Sequence, residues 1–144
     1  MVLGLFEGSI EVKTDKHQYN RGETINCSCT LKLPQSIDAR GLRATFEQLM
    51  RRGKGSRYVE IARKELGTAR TYRNGERFEF SFLVNEKAAP DFTKLNGIMG
   101  DIQMFSCQPI CKLSLVRVSL DMPMKLDAEG HVFLDINRPI IQKQ

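Results

Sequence analysis

Four cysteines have the residue type and spacing that suggest metal chemistry, as Cys27-x-Cys29 and Cys107-x₃-Cys111. A tetrahedral zinc ion with Zn–S bonds of about 2.3 Å needs sulfur atoms about 3.8 Å apart. Cysteines two positions apart on an extended strand are separated by roughly 6.6 Å at their Cα atoms, which also disfavours a mutual disulfide. We therefore expect Cys27 and Cys29 to pack as small apolar side chains. The sequence leaves open whether Cys107 and Cys111 are free thiols or metal ligands, but a cysteine–metal protein is the least favoured function and no cofactor is predicted.

Catalytic groups are not indicated by the sequence. The two histidines, His17 and His131, lie in a polar turn and at the start of a strand, where we expect both to be exposed. The chain has no Gly-x-Ser-x-Gly nucleophile elbow, no Gly-x-Gly-x-x-Gly motif and no phosphate-binding loop. We predict no catalytic residue, no assigned metal ligand and no enzymatic activity.

A basic segment between residues 40 and 77 is the most prominent charged feature of a chain with net charge +5 and a pI of about 9.2. Its densest part contains four glycine-spaced cations, Arg51, Arg52, Lys54 and Arg57. Glycines allow backbone amides to approach an anion, and the cations attract phosphate or carboxylate groups. The same composition is typical of a solvated hairpin tip. Nucleic acid is a less favoured ligand, because Tyr58 is the one nearby aromatic residue that can stack on a base.

Two segments in which apolar and polar residues alternate predict strands that would form the scaffold for the candidate residues. In residues 25–33 one face carries five apolar side chains: Ile25, Cys27, Cys29, Leu31 and Leu33. A turn in which Gly22 can adopt positive φ at no steric cost precedes this strand, and Pro34 ends it. After the Asn74-Gly75 turn signal, residues 76–84 place Phe78, Phe80, Phe82 and Val84 on one face. Such alternation predicts half-buried strands that need a second layer over the apolar face.

The remaining segments are less clear. Residues 8–13 form a first strand, but residues 42–51 and 58–69 fit a helical hairpin about as well as a β-hairpin. Residues 85–109 lack any period, and their role is not indicated.

Towards the end of the chain, residues 110–120 predict a strand that is buried on both faces or carries a bulge near Leu115. Residues 128–130 predict a turn before a short strand over residues 131–136.

The order of these segments resembles the arrestin-like family, in particular its N-terminal-type domain. The resemblance rests on GSIEVKTDKHQYNRGETINCSCTLKL, ARGLRATFEQLM, NGERFEFSFLV, ICKLSLVRVSLDMPMKLD and HVFLDI, which follow one another in the family's order. It implies an antiparallel, immunoglobulin-like β-sandwich of about seven main strands. It also implies that residues 42–51 and 57–70 are strands joined by the basic loop RRGKGS.

Residues 1–144 are expected to form one such domain, because this length is typical of a single core. By resemblance, we expect a non-enzymatic, adaptor-like protein-binding module whose partner is unidentified. Self-association through sheet edges and binding of anionic ligands through residues 51–57 are the alternatives. No apolar run approaches the roughly 18 residues of a membrane span, and no signal peptide is evident, so a cytoplasmic location is expected.

Overall fold

The structure is a computed structural model that describes residues 8–84, 110–123 and 128–136. These ranges contain ten β-strands and no helix. The strands are β1 (Ser9–Thr14), β2 (Gln18–Tyr19), β3 (Thr24–Lys32), β4 (Ile37–Ala39), β5 (Gly41–Arg52), β6 (Gly55–Gly67), β7 (Arg70–Tyr72), β8 (Arg77–Leu83), β9 (Ile110–Asp121) and β10 (Ala128–Ile136). Seven strands have six or more residues, and β2, β4 and β7 have two or three. The prediction of an all-β fold with about seven main strands is confirmed.

Two sheets face each other across one apolar core. The first has the order β1-β3-β8, and the second has the order β2-β10-β9-β5-β6. A separate two-stranded sheet pairs β4 with β7, and all pairs are antiparallel except β2 with β10. The Phe46 and Phe82 rings, 6.2 Å apart at their centroids, join the two inner faces. The predicted antiparallel sandwich is confirmed.

The central strand of the smaller sheet, β3, has the predicted alternation. Ile25, Cys27, Cys29 and Leu31 are buried on its inner face, while neighbouring residues are exposed or half-buried. Strand β8 places Phe82, Phe80 and Phe78 opposite the first three of these residues. Gly22 has φ 92°, as predicted for the turn that precedes β3.

Strands β5 and β6 form the long hairpin that local pattern could not assign. Four inward side chains of β5 are fully buried: Leu42, Ala44, Phe46 and Gln48. Burial of every second residue is typical of an extended strand. Strand β5 pairs with β9 on one side and with β6 on the other. The helical interpretation of residues 42–51 and 58–69 is therefore wrong, and the strands implied by the family resemblance are correct.

Strand β9 is buried on both faces over much of its length, as one of the two alternatives predicted. Its irregularity lies opposite Leu49 and Met50, which pair with Leu113 and Cys111, so the ladder is regular at Leu115. The turn predicted over residues 128–130 is wrong, because these residues begin β10. Gly130 lies against β1, and a Cβ atom there would overlap the Ile10 carbonyl oxygen.

The polar connection between β1 and β3 contains a buried tyrosine that sequence pattern did not indicate. Tyr19 is completely buried, and its hydroxyl donates to the Asp15 carboxylate and accepts from the Lys16 amide. The periodless segment of residues 85–109, with Cys107, lies outside the described residues. Within the described ranges, no helix is long and apolar enough to cross a membrane.

Candidate functional site

The basic hairpin has a shorter turn than the sequence suggested. Arg52 ends β5 and pairs with Gly55 at the start of β6, so Gly53 and Lys54 are the two turn residues. Gly53 has φ 61°, a conformation that favours glycine and occurs in the tight turns of two-residue hairpins. The predicted loop RRGKGS is therefore mostly strand, and Lys54 is the candidate cation that lies in the turn.

The hairpin cations do not converge on one point. Arg57 pairs with Met50, and Arg51 pairs with Ser56. Directly paired residues share a face of the sheet and successive residues alternate, so Arg51 and Arg57 lie on opposite faces. The Arg51 side chain also donates from Nε to the Gly53 carbonyl oxygen at 3.0 Å. Lys54 and Arg57 are exposed, and Arg52 is placed here by its backbone as the last residue of β5.

Strand β6 forms an edge of the five-stranded sheet. Among the described strands it pairs with β5, and β8 likewise pairs with β3 at an edge of the three-stranded sheet. The two edges lie on the same side of the sandwich, where the Lys64 ammonium lies 5.9 Å from the centroid of the Phe82 ring. An edge strand directs alternate backbone N–H and C=O groups away from its sheet. This side therefore presents peptide groups that can pair with another chain.

Two irregularities divide β6. Phe46 pairs with Ala62 and Glu47 pairs with Glu60, so the register passes over Ile61. A second shift passes over Leu66, next to the end of the strand. Bulges bend a strand and increase its twist, which limits how far another strand can follow the edge. The regular part of the edge nearest the hairpin is therefore residues 55–60.

Tyr58 lies within this regular part and is 45% exposed. It pairs with Leu49 on the outer face of the sheet, and the Arg117 guanidinium lies 5.4 Å from its ring centroid. Arg117 also donates to Glu47 and Glu129, at 3.0 Å in each case. This network joins three strands and restricts the guanidinium beside the tyrosine. It was not expected from sequence, because its members lie as far as 82 positions apart.

The thiols on the inner face of β3 are placed as predicted. Cys27 and Cys29 are buried free cysteines, and burial raises the pKa of Cys27 to about 12 and that of Cys29 to about 11. Cys111 is also buried, and its Sγ lies 3.7 Å from the Ser114 hydroxyl. The part of the chain that the structure describes contains no cluster of three or more metal-ligating side chains.

The histidines are exposed, as predicted, and lie far from the hairpin in the sequence. The His17 carbonyl accepts a hydrogen bond from the Asp135 amide, and the His131 ring contacts the Phe133 ring at 4.9 Å. The His17 interaction therefore joins the segment before β2 to β10, and the His131 interaction lies within β10.

Comparison with known proteins shows a shared fold. No family model and no curated protein matches the chain. Spo0M, a sporulation control protein from Bacillus subtilis, superposes with a TM-score of 0.66 at 14% identity over 92% of this chain and 50% of Spo0M. A DUF4785 family protein from Legionella pneumophila gives a TM-score of 0.46 at 12% identity, over 89% of this chain and 28% of its own.

Of these two, the Spo0M superposition supports a fold assignment. Spo0M has an arrestin-like β-sandwich, and the chain spans about half of its length. The predicted arrestin-like fold class is therefore confirmed.

Proposed function

We propose that this chain is a non-enzymatic, adaptor-like protein-binding module related to the arrestin-like family. The observation that carries the proposal is the thirteen-residue strand β6, which pairs with β5 on one side and lies beside the edge of β8. Extended segments of partner proteins commonly bind such edges, because backbone hydrogen bonds form regardless of side chain. The free, buried thiols of Cys27 and Cys29 agree with a reducing, cytosolic setting for this role.

The test of a protein-binding role is capture of partners from native cell extract on immobilised protein. We expect one or a few proteins to bind stoichiometrically, and mass spectrometry identifies them. A heat-unfolded sample of the same chain is the control for adhesion to apolar surface. Recovery of the same proteins on both samples, or of none on the folded chain, would reject the role.

Anion binding at the basic hairpin is a second candidate function. It is favoured by the exposure of Lys54 and Arg57 next to Gly53 and Gly55. An exposed cation contributes about 1 kcal/mol or less, so several must act on one polyanion to give measurable, salt-sensitive affinity.

Replacing Arg51, Arg52, Lys54 and Arg57 by serine tests this candidate. We expect weaker binding of an acidic or phosphorylated peptide at low salt and a smaller difference at high salt. Equal binding by the variant and the original chain at low ionic strength would mean that the hairpin serves solubility.

Self-association through the same edges is the structural alternative. Light scattering across a concentration series separates it from a binding module. A monomer at high concentration excludes self-association, whereas a concentration-independent dimer supports it.

A further inference from the structure

We infer that residues 55–60 of β6 bind an extended acidic segment of a partner protein as an added strand. The inference rests on the proposed protein-binding function and names the site and the chemistry of its ligand. It combines three features: an edge that pairs with β5 alone among described strands, an exposed aromatic side chain, and an excess of positive charge in the hairpin that leads into this stretch.

The bulge at Ile61 sets the length of the added strand. From the hairpin to Glu60 the pairing with β5 is continuous, and the register then shifts. An added strand can follow the regular edge for about six residues before the twist of the bulge separates the two backbones. The site is thus long enough for a short linear segment and too short to support continued sheet growth.

The positive charge of the hairpin next to β6 favours an acidic ligand. Residues 51–59 contain four cations, Arg51, Arg52, Lys54 and Arg57, and no carboxylate. Residues 60–67 contain two cations and two carboxylates, and one of these carboxylates, Glu60, is paired with Arg63 at 2.8 Å. Positive charge is therefore concentrated at the hairpin end of the strand, next to the part that has regular pairing. Acidic side chains on the added strand are complementary to that end.

The two faces of this stretch specify alternating positions in the ligand. Arg57 lies on one face, and Tyr58 lies on the other beneath the Arg117 guanidinium. Residues that neighbour each other across two strands lie about 5 Å apart. An acidic residue of the ligand beside Arg57 is then followed by an apolar residue beside Tyr58, which predicts alternating acidic and apolar positions.

A second copy of this chain is a poor occupant of the same edge. Antiparallel pairing of two copies centred on Arg57 would place the two Arg57 side chains directly opposite each other on one face. The carboxylate nearest in sequence, Glu60, is already bound to Arg63. Like charges at directly opposite cross-strand positions are destabilising, so the edge favours a ligand of opposite charge.

The inference is tested with a fluorescent probe peptide in which six alternating glutamate and valine residues are flanked by glycine and serine. A matched peptide has proline in place of the central valine, which keeps the charge and removes one backbone donor. By fluorescence anisotropy at low salt, we expect the proline peptide to bind at least about tenfold more weakly. Equal binding of the two peptides, or binding of neither, would overturn strand addition at this edge.

Variants of the protein locate the site. Arg57→Glu and Tyr58→Ser change exposed side chains and should each weaken probe binding by about fivefold or more. Lys32→Glu is the matched control, because it makes the same charge change at an exposed position on β3. Circular dichroism verifies that each variant is folded. An effect of Lys32→Glu as large as that of Arg57→Glu would show that net charge governs binding, against the inference.

Hydrogen exchange and partner capture separate this inference from the broader proposal. Bound probe should slow exchange of β6 amides and leave those of β1 unchanged. A captured cellular partner that binds Arg57→Glu and Tyr58→Ser as tightly as the original chain would leave the protein-binding function standing and overturn this site. Light scattering that shows dimers disrupted by the probe would make a second copy the occupant, which also contradicts the inference.

Discussion

The buried thiols of β3 show how a residue's surroundings decide its chemistry. Burial raises the pKa of Cys27 to about 12 and that of Cys29 to about 11, from an ordinary value of 9.0. The thiolate is the reactive form, and its population at neutral pH falls as the pKa rises. These two cysteines therefore act as small apolar residues.

We predict that iodoacetamide labels Cys27 and Cys29 very slowly in the folded protein at pH 8. In concentrated guanidinium chloride, labelling should accelerate by at least about a hundredfold, because unfolding restores both exposure and the ordinary pKa. Mass spectrometry of the peptide that contains both residues gives the rates without interference from the other cysteines. Rapid labelling in the folded state would show that the inner face of β3 is open.

Gly130 is a residue whose identity is required by a neighbouring backbone. We predict that Gly130→Ala lowers the free energy of unfolding by about 1–3 kcal/mol or more, because the added Cβ would overlap the Ile10 carbonyl oxygen. Gly41→Ala is the matched control, since its Cβ would meet the Gly67 carbonyl oxygen at 3.4 Å. Urea denaturation measures both variants. Equal stability of the two would contradict the close crossing of β1 over β10.

Single residues differ in how far sequence predicts them. The burial of Cys27 and Cys29 follows from alternation within nine neighbouring residues. Tyr19 and Gly130 were not identified, because the buried hydroxyl of Tyr19 and the close contact of Gly130 depend on chain segments brought together by folding. No local period contains that information.

At the scale of elements, pairing decides what local propensity leaves open. The apolar residues of β5 satisfy both a helical and an extended period, so neither could be chosen from the segment itself. Its neighbours β9 and β6 supply ladder hydrogen bonds on both sides and select the extended form. The family resemblance gave the correct result because it carries information about these distant partners.

Hydrogen exchange should distinguish the central strands from the edge strand. We predict the slowest amide exchange for β5 residues 44–48 and β9 residues 114–118, which lie in neighbouring strands with a partner on each side. About half of the β6 amides should exchange much faster, because edge strands direct alternate amides outwards. Nuclear magnetic resonance resolves individual amides. Uniform protection along β6 would show that another segment covers its edge.

For the whole molecule, the sequence predicted the class and the order of the strands more fully than the candidate site. Alternation in residues 25–33 and 76–84 requires a layered β-fold, and the confirmed sandwich supplies the second layer. The basic residues 51–57 were identified by composition, but their division between two faces depends on the two-residue turn and the register of β5 with β6. The face on which a charged side chain lies is known only once the position and register of its strand are known.

Alkaline pH should destabilise the fold as a whole. In the folded protein, burial and the hydrogen bond to Asp15 raise the pKa of Tyr19 to about 12. Burial also raises the pKa values of Cys27 and Cys29. A group whose pKa is higher in the folded than in the unfolded state contributes its full stabilisation of the fold below the unfolded pKa, here about 9 to 10. It loses that contribution as the pH rises through the folded pKa.

We therefore expect the free energy of unfolding to decline between about pH 9 and pH 12. Urea titrations at successive pH values, with the near-ultraviolet absorbance of tyrosinate as a parallel readout, follow the change. In Tyr19→Phe the decline should be smaller, because one of the three groups is gone. A constant free energy of unfolding across this range would contradict the burial of these groups.

Synthesis on the ribosome delivers β1 long before β10, the strand that it crosses. Ile10 and Gly130 meet in the finished sandwich although they are 120 positions apart in the chain. Until residues 128–136 emerge, the inner face of the β1-β3-β8 sheet lacks part of its cover, and the phenylalanines of β8 remain more accessible to chaperones and to other nascent chains. A translational pause before residues 128–136 emerge therefore prolongs an aggregation-prone stage, and the emergence of β10 is the event that lets the two layers close.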